Sequence, residues 1–91
     1  MRPSLSALFL LASFSIKAQN LKAYEQAGDE AFTQKEYYNA VHYYDIVLRS
    51  KKTAGVYYKY AEASRLSHAY QAAEEAYKKV VDSREKSRYP M

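Results

Sequence analysis

A chain of 91 residues, 48% hydrophobic and 26% charged, is one small folded domain at most and is not a disordered segment. The absence of cysteine excludes disulfides, thiolate metal sites, a cysteine nucleophile and a lipid-modified N-terminal cysteine. The net charge of +4 is modest, and half of it lies in the first 18 residues.

Those first residues stand apart from the rest. Arg2 gives a positive start, and residues 5–16 form an apolar run of Leu, Phe, Ala, Ser and Ile. The run is shorter than the roughly 20 residues that span a bilayer and is apolar around its whole circumference, unlike a membrane-surface helix. Residues 1–18 therefore read as a secretory signal peptide, cleaved after Ala18, with Ser15 as a rival site. Cleavage after Ala18 removes Arg2 and Lys17 and leaves 12 basic against 10 acidic residues, a net +2. So small an excess argues against a nucleic-acid binder, which concentrates basic residues on one face. No integral membrane span is expected after the leader.

From Asn20 onward the pattern is helical. Leu21, Tyr24, Ala27, Gly28 and Ala31 recur at three- and four-residue spacing, which predicts a helix over 21–34 with Asn20 as its cap. Lys35 and Glu36 make a turn. Tyr37, Ala40, Val41, Tyr44, Val47 and Leu48 predict a partner helix over 37–49. Residues 50–53 are a polar link in which Thr53 can cap a third helix over 54–67. His68 and Ala69 turn the chain into a fourth, over 70–84, with Lys78 and Lys79 near its end, where the helix dipole favours cations. Gly28 and Ala40 predict a close helix–helix contact, because a glycine inside a helix costs about 1 kcal/mol and needs a packing reason.

The same set of residues then repeats 33 positions later. Tyr24, Gly28, Ala31, Tyr37, Ala40, Tyr44 and Val47 match Tyr57, Ala61, Ser64, Tyr70, Ala73, Tyr77 and Val80, with five of the seven pairs identical. These fourteen are the expected repeat core. A self-match at that period marks a stacked helical array. The units run over about 21–53 and 54–84 of a segment 19–84. Residues 85–91 are either a polar tail or the opening of a truncated third unit, with Pro90 suited to a first helical turn.

The string Gly28-Asp29-Glu30-Ala31 followed by Tyr37, Ala40, Tyr44 and Val47 resembles a tetratricopeptide repeat, and the second unit matches the same pattern with Ala61 at the glycine position. The resemblance implies an all-α fold of two helix-turn-helix units, four antiparallel helices in a short right-handed α-solenoid. Two departures fall in loops: Lys51 and Lys52 stand where a closing proline is usual, and Lys35 and His68 replace the turn glycine. In that family the first helix of each unit lines a concave groove that holds a peptide. Carried over by spacing, the groove positions are Lys22, Glu25, Asp29, Phe32 and Thr33, then Tyr58, Glu62, Arg65 and Leu66. Phe32 and Tyr58 are either anchors for a partner or packing against a neighbouring helix. Glu25 and Asp29 stand where the family's basic clamp on a peptide carboxylate wants a Lys and an Asn.

Nothing in the sequence sets up catalysis. His42 and His68 have no metal-ligand spacing, neighbouring Glu74 and Glu75 point about 100° apart on a helix, and two glycines do not make a phosphate loop. The expectation is a non-enzyme without metal or cofactor that takes a protein or peptide partner and no nucleic acid. Because only one unit–unit interface exists, self-association through the second unit is also expected. A leader ending in Ala-Gln before such repeats is similar to the start of larger Bacteroidota cell-envelope proteins carrying a β-propeller and a peptidoglycan-binding domain. That implies a periplasmic or outer-membrane scaffold, or the N-terminal fragment of a larger envelope protein in a secretion or motility machine. A non-catalytic repeat region of an enzyme is the remote alternative.

Overall fold

A computed structural model describes residues 20–84 and 86–90; the leader expected at 1–18 lies outside the described residues. The described chain is helical: α1 (residues 20–33), α2 (Tyr37–Leu48), α3 (Ala54–Leu66) and α4 (Tyr70–Val81), then a 3-10 turn at Lys86–Arg88. No strand occurs among the described residues. Four helices joined by short turns are compatible with an α-solenoid.

The helix ends follow from local chemistry. Thr53 caps α3, its hydroxyl accepting a hydrogen bond from the Val56 N–H at 3.3 Å. Asn20 is itself helical rather than a cap. The fourth helix stops at Val81, three residues short of expectation. There the Ser83 N–H and hydroxyl both turn back to the Val80 carbonyl, at 3.0 and 2.6 Å, and such a serine competes with continued helix.

The two turns inside the helix pairs are copies of each other. Lys35 and His68, 33 residues apart, hold φ of 63° and 68°, the left-handed conformation at which a helix C-cap usually carries glycine. Around Lys35, its own N–H reaches the Phe32 carbonyl at 3.0 Å and Glu36 N–H reaches Ala31 at 2.8 Å. Around His68 the equivalent bonds run to Arg65 at 3.1 Å and from Ala69 to Ser64 at 2.8 Å. Each pair of bonds satisfies carbonyls that the helix end would leave open.

Small residues let the helices meet closely. Ala31, Ala40, Tyr44 and Ala63, drawn from α1, α2 and α3, form one buried cluster, with Phe32, Val41, Tyr43 and Tyr60 packed against it. Val47, Val56, Ala61, Ser64, Ala73 and Val80 are also buried. At Gly28 the close approach is made by the ring of Tyr44: a Cβ built on the glycine would stand 2.5 Å from Tyr44 Cε1.

Two expected core tyrosines are exposed instead, Tyr24 at 40% and Tyr70 at 61%. Their counterparts show why. Tyr57 is half-buried beside Leu48 and Ala76, where α3 meets α2 and α4. Tyr24 meets Tyr43, with ring centroids 6.4 Å apart. Tyr37 shares a depression with Leu66 and Ser67 of the second unit and takes the edge of Phe32 at 5.3 Å. Tyr70 has Arg65 at the Phe32 position, and its hydroxyl meets His68 Nδ1 at 2.8 Å.

Candidate functional site

The first helices of the two units, α1 and α3, lie side by side and are joined by one lysine. Lys59 Nζ on α3 sits 3.0 Å from Glu25 Oε2 and 3.0 Å from Asp29 Oδ1, both on α1. Lys51, on the link before α3, holds the other oxygen of Glu25 at 3.1 Å. Tyr44 donates its hydroxyl to Asp29 Oδ1 at 2.6 Å. Both carboxylates therefore face a cation, and Asp29 also fastens α1 to α2.

The electrostatics follow this geometry. Burial would raise the Glu25 carboxyl, but the hydrogen bonds and charges of Lys59 and Lys51 outweigh it and hold the group below its ordinary value. Burial would lower the Lys59 ammonium, and Asp29 and Glu25 hold it above its ordinary value instead. The Tyr44 hydroxyl is pushed far up, first by burial and then by Asp29.

The second unit carries the same acid–tyrosine bond at the same offset. Glu62 stands 33 residues after Asp29, Tyr77 stands 33 after Tyr44, and Tyr77 donates its hydroxyl to Glu62. Arg65 Nε completes the group at 3.4 Å from Glu62 and 3.4 Å from Tyr77.

The expected groove residues thus do not form one continuous surface. Lys22, Glu25 and Asp29 line one cleft with Ser50 and Lys51 across from them. Thr33 is exposed at the end of α1, its hydroxyl turned onto the Asp29 carbonyl at 3.0 Å. Tyr58, Glu62 and Arg65 gather around Tyr77. Phe32 and Leu66 are drawn away from both groups, Phe32 against the buried cluster and Leu66 beside Tyr37 where the units meet.

Three residues that take part here escape a reading of single helices: Lys59, Lys51 and Tyr89. The lysines stand 26 and 34 residues after Glu25, at separations that no helical spacing picks out. Tyr89 lies 4.8 Å from Tyr58, centroid to centroid, and follows the last helix. The assembled face can stack an aromatic group, accept and donate hydrogen bonds and match charge. Among the described residues no three His, Asp or Glu gather as metal ligands, and no helix is long and apolar enough to cross a membrane. Comparison with protein-family models, with curated proteins and with solved structures finds no match to this chain.

Proposed function

We propose that this chain is an exported protein-interaction module of a bacterial cell envelope, two tetratricopeptide-type units that bind a peptide or protein segment along the α1–α3 face. The observation that carries the reading is the 33-residue offset. It recurs in the apolar positions, in the left-handed turns at Lys35 and His68, and in the Asp29–Tyr44 and Glu62–Tyr77 hydrogen bonds. A unit duplicated down to its side-chain bonds is a stacking unit, and stacked helix pairs present an extended surface along their first helices. The apolar run at residues 5–16 supports export.

The test is a random peptide library panned against the exported chain. Enriched peptides should lose at least about tenfold in affinity on Lys22→Glu or Arg65→Glu, roughly 1.4 kcal/mol. They should bind Tyr38→Ala unchanged, since Tyr38 is 81% exposed on α2, away from this face. Peptides indifferent to both groove changes would remove the reading. N-terminal sequencing of the exported protein should give Gln19, or Ile16 from the rival cleavage site; an intact leader would remove the export part.

A further inference from the structure

The segment that follows α4 returns to α3 and lies on Tyr58. The rings of Tyr89 and Tyr58 are 4.8 Å apart with planes inclined by 31°, and Tyr77 meets Tyr58 edge-on at 6.2 Å. The Tyr58 hydroxyl donates to the Pro90 carbonyl at 3.3 Å. Gly55, almost one helical turn before Tyr58, supplies the space: a methyl group there would stand 3.3 Å from the Tyr89 hydroxyl oxygen, closer than ordinary contact.

The geometry points to Gly55, Tyr58 and Tyr77 as a binding subsite for a peptide that carries an aromatic residue followed by proline, occupied in this chain by its own Tyr89 and Pro90. The inference rests on the peptide-binding reading of this face and specifies what one part of it accepts. Each contact selects a chemical feature. The Tyr58 ring takes an aromatic partner in an offset stack. The missing side chain at Gly55 leaves depth for a ring with a polar tip. The Tyr58 hydroxyl takes a backbone carbonyl, which any residue offers. Proline at that position is stiff and has no N–H to leave unpaired, so docking it orders little and strands no donor.

The occupant is tethered, which makes it a competitor at a high effective concentration. A free peptide of the same kind sees only the fraction of molecules whose subsite is open, and its apparent affinity falls by that fraction. Binding in trans then releases Tyr89 and Pro90 from α3, so the subsite reads a partner only when the partner outcompetes the chain's own segment.

The experiment is a titration of a fluorescein-labelled Lys-Ser-Arg-Tyr-Pro-amide peptide with the full chain, followed by anisotropy. Tyr89→Ala should bind the peptide about tenfold more tightly than the unsubstituted chain, which corresponds to a subsite about nine-tenths occupied in cis. Adding Tyr58→Ala should abolish that gain. Adding Tyr58→Phe instead keeps the ring and loses the hydroxyl, and should remove part of it. A peptide with alanine in place of its tyrosine should not bind. Helical circular dichroism of each variant guards against loss of fold, and the Tyr58→Phe arm remains informative if Tyr58→Ala unfolds. Equal binding by Tyr89→Ala and the unsubstituted chain, or by Tyr89→Ala with and without Tyr58→Phe and Tyr58→Ala, overturns the proposal. If library peptides still respond to Lys22→Glu in that case, the subsite alone is wrong and the wider binding face stands.

Discussion

Tyr44 closes on Gly28 so tightly that a methyl group added to the glycine would stand 2.5 Å from the ring. The ring cannot retreat freely, because Tyr44 is only 1% exposed and its hydroxyl is anchored on Asp29. Gly28→Ala gains about 1 kcal/mol of helix propensity and loses about 1–3 kcal/mol to overpacking. The expected result is a net loss of about 1 kcal/mol in urea unfolding, and a more stable variant would mean that Tyr44 swings aside at no cost. The second unit already holds that methyl group as Ala61, and there the matching Tyr77 is only half-buried.

The Glu25–Lys59 pair predicts a pH window with two different edges. Glu25 is held below its ordinary 4.5, so its contribution is present above that value and is lost as pH falls through the lowered one. Lys59 is held above its ordinary 10.5, so its contribution is complete below 10.5 and lost as pH rises through the raised value. Tyr44, raised above its ordinary 10.0, adds to the alkaline loss. Urea midpoints across pH should show Glu25→Gln with a flatter acid limb and, because Lys59 then keeps only Asp29, a partly flattened alkaline one, and Tyr44→Phe with a flatter alkaline limb. An acid limb untouched by Glu25→Gln would show that the lysines do not stabilise this carboxylate.

Lys35 and His68 adopt a backbone conformation that costs a residue with a side chain roughly 1–2 kcal/mol. Lys35→Gly should therefore raise unfolding stability by about 1 kcal/mol, part of the relief being offset by the freer unfolded chain. His68→Gly should gain less, because it gives up the 2.8 Å contact with the Tyr70 hydroxyl. The two changes lie in separate turns and should add. Thermal melts of the single and double variants measure both points.

Ser64 is fully buried, lies beside Tyr60, and its hydroxyl has no hydrogen bond of normal geometry. The first unit carries Ala31 at the same place. Ser64→Ala removes a buried hydroxyl that lacks a well-formed hydrogen bond and should stabilise the chain by about 1 kcal/mol. A destabilised variant in urea would reveal a partner for the hydroxyl in solution.

The helices and the small residues between them are legible in the sequence, because three- and four-residue spacing is a property of one helix and needs no knowledge of its neighbours. The close approach at Gly28 is legible for the same reason. Its partner is not, since a missing side chain says that something comes near without saying what. Tyr24 and Tyr70 read as core because Tyr57 and Tyr37 have the same local pattern. Their burial depends on a neighbouring helix that spacing within one unit does not encode. Lys59 is hidden for a related reason: it serves two acids of the previous unit, and its role emerges only when α1 and α3 are set side by side. The seat of Tyr89 on Tyr58 depends on how the chain reverses after Val81, where no periodic signal remains.

The lysine that ties α3 to α1 also sets a scale for how the molecule folds. The Glu25–Lys59 bond spans 34 residues, close to the 33-residue period of the sequence, and the acid–tyrosine bonds within the units span 15. Loops of that size close quickly, and helical chains dominated by such short separations fold in microseconds to milliseconds. Adding further units of the same kind would lengthen the molecule without lengthening the loops, so its folding time would be governed by the period and not by the size.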